Sequence, residues 1–123
     1  MKFLVIEDEP DGAAVVEMIL ASVGYETVTA HTAERALEIL AKDPSGFDGA
    51  IVDLALPGMD GFEFLAAARG NRSYDHMPFV AATAFHTPEL KSKALDLGFD
   101  AYFAKPLDTT IFVGTLQRLI GKN

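Results

Sequence analysis

A three-layer α/β sandwich around a parallel sheet is the fold predicted for this 123-residue chain. Three observations predict it: five short apolar runs, a helical pattern after each run, and runs that are nearly continuous in apolar residues rather than alternating. Continuous apolar character suits central strands covered on both faces, and βα repetition favours parallel pairing with right-handed crossovers. The length suits one domain, and half of the residues are hydrophobic, so the chain can bury a core of its own.

The elements follow in order. Phe3 to Ile6 is the first strand, and apolar spacing near a helical period then runs from Asp11 to Val23, with Gly24 suited to a left-handed helix end. Thr27 to Ala30 is the second strand and Ala33 to Lys42 its helix. After the third strand, Ala50 to Val52, a helix from Asp60 to Arg69 opens with Asp60 and Glu63 spaced as a capping box. Phe79 to Ala82 is the fourth strand. Thr87-Pro88 then sets an N-cap before a first-turn proline, and the helix Pro88 to Leu97 stops at Gly98. Ala101 to Ala104 is the fifth strand, and Asp108 to Ile120 the last helix before Gly121-Lys122-Asn123. No linker, low-complexity tract or further repeat interrupts this order, so residues 1–123 are expected to form one domain.

The formal net charge is -8, from 18 acidic and 10 basic residues, and no Lys/Arg cluster is present to neutralise a row of phosphates. Direct nucleic-acid binding is therefore not expected. The absence of cysteine removes disulfides, thiolate metal sites and thiol nucleophiles, and it fits a reducing compartment, with the cytoplasm as the default. The apolar run at the N-terminus is broken by Glu7 and Asp8, too short for a signal peptide or a membrane span.

In parallel α/β sheets the loops at the C-terminal strand ends carry function. Glu7 and Asp8 follow the first strand, Asp53 closes the third, Thr83 closes the fourth, and Lys105-Pro106 follows the fifth. All of these polar groups belong to one edge. Carboxylates held together repel and lose water, which a bound cation offsets. Oxygen is the donor on offer and the three histidines, 31, 76 and 86, are scattered without a ligand spacing, so the expected ion is magnesium, with manganese as the alternative. A carboxylate such as Asp53 can attack phosphorus to give an acyl phosphate when metal and a cation offset the charge on the transferring oxygens. Lys105 supplies that positive charge, Thr83 can donate its hydroxyl, and the small Ala84 leaves room for the group to enter. Strand-end aspartates also cap helices, and loop acids are often merely solvated, but Asp53 here has Lys105 and Thr83 as partners.

The segments Val5-Ile6-Glu7-Asp8-Glu9-Pro10, Asp53-Leu54-Ala55-Leu56-Pro57-Gly58-Met59-Asp60-Gly61, Thr83-Ala84 and Tyr102-Phe103-Ala104-Lys105-Pro106, each at a strand end, resemble the response-regulator receiver family of two-component signalling over essentially the whole chain. The resemblance implies a flavodoxin-like (βα)5 fold with strand order 2-1-3-4-5. It also implies Asp53 as phosphoacceptor, with magnesium held by Glu7, Asp8 and Asp53, directly or through water, and by the Ala55 backbone carbonyl. Lys105 and Thr83 would contact the phosphoryl group, and a cis peptide before Pro106 would aim Lys105 into the site. Tyr102 matches the family's rotating aromatic, with Thr83 moving inward and vacating space for the ring. The surface of the fourth helix, fifth strand and fifth helix, with Lys91, Tyr102 and Thr115 as candidates, would change for a downstream protein effector. The donor would be the phosphohistidine of a histidine kinase or histidine phosphotransfer protein docked on the first helix, where Val15 and Met18 lie off the core stripe of Val16, Ile19, Leu20 and Val23. Burial within the domain competes with that docking role. A phosphorylation-dependent homodimer is a further partner the resemblance leaves open.

Two positions depart from common family usage: Glu7 stands where many members have Asp, and Ala55 offers only its backbone. Neither Ala55 nor Phe85 can hydrogen-bond an attacking water through its side chain, so a long-lived phosphorylated form is expected. A haloacid dehalogenase type of phosphatase would need a second Asp two residues after the nucleophile, where this chain has Ala55. A flavodoxin-like cofactor domain would need a phosphate-cradling loop after the first strand, where Glu7-Asp8-Glu9 repels phosphate. A receiver-like module without phosphate chemistry is disfavoured by the presence of acceptor, lysine and hydroxyl together. The expectation is thus a signalling switch that catalyses only its own phosphorylation and dephosphorylation. A free-standing regulator is preferred because the chain begins with Met1 and has no linker-like tail.

Overall fold

Strands and helices alternate along the computed structural model, which describes residues 1–121; Lys122 and Asn123, inside the expected domain, lie outside the described residues. The order is β1 (Lys2–Ile6), α1 (Pro10–Ala21), β2 (Glu26–Ala30), α2 (Ala33–Lys42), β3 (Gly49–Asp53), α3 (Gly61–Arg69), β4 (Phe79–Thr83), α4 (Pro88–Asp96), β5 (Ala101–Ala104) and α5 (Thr109–Ile120). One element was not anticipated, a 3-10 turn at Arg72–Tyr74. It is built on Asn71, whose side chain accepts from the Ser73 N–H at 2.9 Å, a local turn signal without hydrophobic periodicity.

All neighbouring strands pair in parallel, in the expected order β2-β1-β3-β4-β5. Side chains alternate across the central strands. Leu4, Ile6, Ala50, Val52, Phe79 and Ala81 pack with residues of α2, α3 and α4 on one face. Phe3, Val5, Ile51, Val80 and Ala82 pack with Val16 and Leu20 of α1 and Phe112 and Leu116 of α5 on the other. Two buried faces explain why these strands read as continuous apolar runs.

Helix ends follow their capping residues. Asp60 and Glu63 form the capping box at α3, Thr87 accepts from the Leu90 N–H at α4, and Asp108 accepts from the Ile111 N–H at α5. These cap residues sit outside the helices they start, which is why α3 and α5 begin one residue later than expected. After α1 and α4 the chain leaves through Gly24 and Gly98, at φ values of 82° and 115° that residues with a Cβ rarely adopt. Among the described residues no helix is long and apolar enough to cross a membrane.

Candidate functional site

Register brings the polar residues together. Ile6 lies opposite Val52 and Asp53 opposite Ala82, so Glu7, one residue beyond β1, stands beside Asp53. Thr83 lies opposite Ala104, which sets Lys105 one step beyond the end of β5. Parallel strands therefore deliver Glu7, Asp8, Asp53 and Lys105 to a single cleft of about 390 Å3, which Glu9, Gly12, Ala55, Ala84 and Phe85 also line.

Glu7 and Asp53 are nearly enclosed, at 4% and 8% exposure. The Lys105 Nζ donates to Glu7 Oε2 at 2.8 Å and to Asp53 Oδ2 at 3.4 Å. Its nearer partner is thus Glu7, with Asp53 further off. The longer Glu side chain reaches the ammonium because Gly12 has no Cβ. One placed there would lie 2.7 Å from Glu7 Oε1. Asp53 Oδ1 accepts from the Ala55 N–H at 2.9 Å, which fixes the other carboxylate oxygen toward the lysine. The Lys105–Pro106 peptide is cis.

Burial, followed by the neighbouring Asp53, raises the Glu7 carboxyl to about 7 despite the opposing Lys105. Burial pulls the Lys105 ammonium down, but the bond to Glu7 and the charge of Asp53 outweigh it and leave the group raised. Burial and the neighbouring carboxylate both disfavour the charged form of Glu7, and a bound cation would offset both. Oxygens of Glu7, Asp8 and Asp53 lie within 4.8 Å of one another. That all-oxygen set fits a hard divalent cation such as magnesium, which takes one or two carboxylates and keeps several waters.

Thr83 is 1% exposed and is not part of the cleft wall. Its Oγ1 accepts from the Phe85 N–H at 3.1 Å, so the hydroxyl is engaged with its own loop. Tyr102 is half-buried, Lys91 is exposed on α4, and Thr115 is half-buried on α5. On α1, Val15 and Met18 are 51% and 71% exposed, so burial within the domain is not the reason for their apolar character. They line a second, mostly apolar groove of about 390 Å3 with Ile19, Pro106, Leu107 and Thr109.

The histidines, given no role from sequence, bind locally. His31 Nδ1 lies 3.0 Å from the Glu7 carbonyl, His76 Nε2 lies 3.1 Å from the Phe47 carbonyl, and His86 Nδ1 lies 2.9 Å from the Tyr102 hydroxyl. Residues 31 and 7 are far apart in sequence, and no spacing rule links them. Only the pairing of β1 with β2 does so.

A family model described as the response regulator receiver domain matches residues 3–117. The chain is similar to the transcriptional regulatory protein KdpE of Mycobacterium tuberculosis, 34% identical over 120 residues, which cover 98% of this chain and 51% of that protein. It therefore spans about half the length of that relative. Among solved structures it is similar to the chemotaxis protein CheY4 of Vibrio cholerae, with a TM-score of 0.85, 32% identity, and 96% and 97% of the two chains covered. It is also similar to the receiver domain of a sensor histidine kinase from Pseudomonas aeruginosa, which has a magnesium ion coordinated in its active-site cleft. Here the TM-score is 0.88 with 27% identity, over 98% of each chain.

Proposed function

The chain belongs to the response regulator receiver domain family, and from that premise we propose that Asp53 accepts a phosphoryl group from the phosphohistidine of a histidine kinase or histidine phosphotransfer protein. The observation that carries this reading is the meeting of three carboxylates with one lysine in one cleft. An Asp53 oxygen forms the new bond to phosphorus as the P–N bond breaks, and its electron pair returns to the imidazole. Glu7, Asp8, Asp53 and the Ala55 carbonyl would hold magnesium, whose charge would offset that on the transferring oxygens. Lys105, already poised over Asp53, moves its ammonium to a phosphoryl oxygen. Residues 1–123 act as one receiver domain in the cytoplasm, a switch whose only catalysis is its own phosphorylation and dephosphorylation.

The response begins at Thr83. Its hydroxyl leaves the Phe85 amide for a phosphoryl oxygen, the loop after β4 moves inward, and Tyr102 turns into the vacated space. The surface of α4, β5 and α5, including Lys91, Tyr102 and Thr115, then presents a changed face to a downstream protein effector or to a second phosphorylated copy. The donor's helical bundle docks on the apolar groove beside Val15 and Met18, whose exposure supports that role. Ala55 and Phe85, which flank the cleft, have no side-chain group to orient a hydrolytic water, and the acyl phosphate is long-lived. Its loss within seconds from isolated protein would contradict that.

Intact mass after exposure to acetyl phosphate and magnesium tests the acceptor. One added phosphoryl mass is expected in the native protein and none in Asp53→Asn. An adduct that persists in the variant would reassign the acceptor.

A further inference from the structure

The loop between β4 and α4 is held at two fixed points. Thr83, at the end of β4, is buried among the central strands, and Thr87 caps the start of α4 through the Leu90 N–H at 3.0 Å. The residues between them, Ala84, Phe85 and His86, are exposed. Among the described residues, one side-chain hydrogen bond ties this stretch to another strand: His86 Nδ1 to the Tyr102 hydroxyl on β5, at 2.9 Å. The two rings lie 5.5 Å apart and are tilted by 52°, so they also pack. Burial holds the Tyr102 phenol above its ordinary value.

The same stretch is bound to Thr83 through the bond from the Phe85 N–H to Oγ1. Phe85 and His86 are adjacent, so the backbone released when the Thr83 hydroxyl changes partner is the backbone on which the imidazole is mounted. A hydroxyl at the end of β4 and an aromatic ring on β5 are thereby joined through Phe85 and His86.

We propose that His86 is a positioning residue that latches Tyr102 in its resting pose and makes release of that pose depend on Thr83. The inference rests on the switching roles given above to Thr83 and Tyr102. The imidazole touches neither the cleft nor the phosphoacceptor, and it acts only through the tyrosine. Removing one exposed hydrogen bond of ordinary strength raises the switched fraction of Tyr102 in unphosphorylated protein about five-fold.

The experiment follows the Tyr102 ring signals by NMR in native protein, His86→Ala and His86→Gln, before and after acetyl phosphate with magnesium. In the unphosphorylated state the Ala variant is expected to move toward the phosphorylated position, and the Gln variant, which keeps a hydrogen-bonding group, to return toward the native one. Signals in His86→Ala that match the native protein before phosphorylation, while phosphorylation still moves both, would overturn the latch alone. A Gln variant as displaced as the Ala variant would overturn the hydrogen bond as its basis. If phosphate is incorporated and Tyr102 of the native protein does not respond, the switching role of Tyr102 fails and the latch fails with it.

Discussion

Two regions at the C-terminal edge of the sheet differ sharply in how they are held. Toward the cleft, Glu7 and Asp53 are enclosed at the ends of central strands, braced by Lys105 and by the Ala55 amide. Toward β5, the stretch from Ala84 to His86 is exposed and, among the described residues, is tied by two hydrogen bonds, one to Thr83 and one to Tyr102. Under the proposed function, chemistry that needs fixed distances is mounted on the sheet, and movement is left to a segment whose restraints are few and individually weak. Thr83 belongs to both regions, being buried by its strand and bonded to the loop.

The largest contrast is expected in stability. Phe79 is fully buried in β4, edge-on to Phe64 and beneath the Arg69 guanidinium. Phe79→Ala should cost about 3–5 kcal/mol, measured by urea unfolding. Phe85→Ala, six residues later and 71% exposed, should stay within about 0.5 kcal/mol. Equal losses would erase the distinction between the two regions.

A pH effect of somewhat smaller size should originate at the cleft. Glu7 rises from 4.5 to about 7 on folding, so between those values the folded state binds more protons than the unfolded chain. Stability from this group is therefore full below pH 4.5 and lost as pH rises through about 7, by on the order of 3 kcal/mol. Metal-free protein should show this decline in denaturant midpoint across that window, and Glu7→Gln should flatten it. An unchanged slope in the variant would place the titrating group elsewhere.

Gly12→Ala sharpens the comparison from the other side. Its Cβ would press on Glu7 Oε1, while helix propensity gains about 1 kcal/mol, so stability should change by no more than about 1 kcal/mol. Magnesium affinity, read by titration, should nevertheless fall several-fold as Glu7 is displaced, and adding Glu7→Asp should restore it. The smallest effect on folding belongs to the exposed groove. Val15→Lys with Met18→Lys should leave the unfolding midpoint unchanged and slow phosphoryl transfer from a phosphohistidine donor while leaving transfer from acetyl phosphate intact. Unchanged donor transfer would remove that surface from the docking role.

Much of this was legible in the sequence because parallel strands convert linear order into position. Once Phe3 to Ile6, Ala50 to Val52 and Ala101 to Ala104 are strands of one sheet, Glu7, Asp53 and Lys105 must meet at its C-terminal edge. The caps at Asp60 and Thr87 were legible for a similar reason, since a side chain three residues from an amide is a local signal. What the sequence did not disclose depends on contacts across elements. The preference of Lys105 for Glu7 over Asp8 depends on side-chain length and on the space above Gly12. The pairing of His86 with Tyr102 depends on where a loop folds over a neighbouring strand. The exposure of Val15 and Met18 could not be chosen from helical spacing, which fits a broad buried face as well as a docking face.

The most direct test of a rigid chemical end driving a loosely held response is an amide NMR spectrum recorded before and after acetyl phosphate with magnesium. Besides the cleft residues, the largest shifts should fall on Thr83 to Thr87 and Ala101 to Lys105, with Phe3 to Ile6 little changed. Shifts confined to Glu7, Asp8 and the Asp53 to Ala55 turn, with phosphate incorporated, would contradict the coupling.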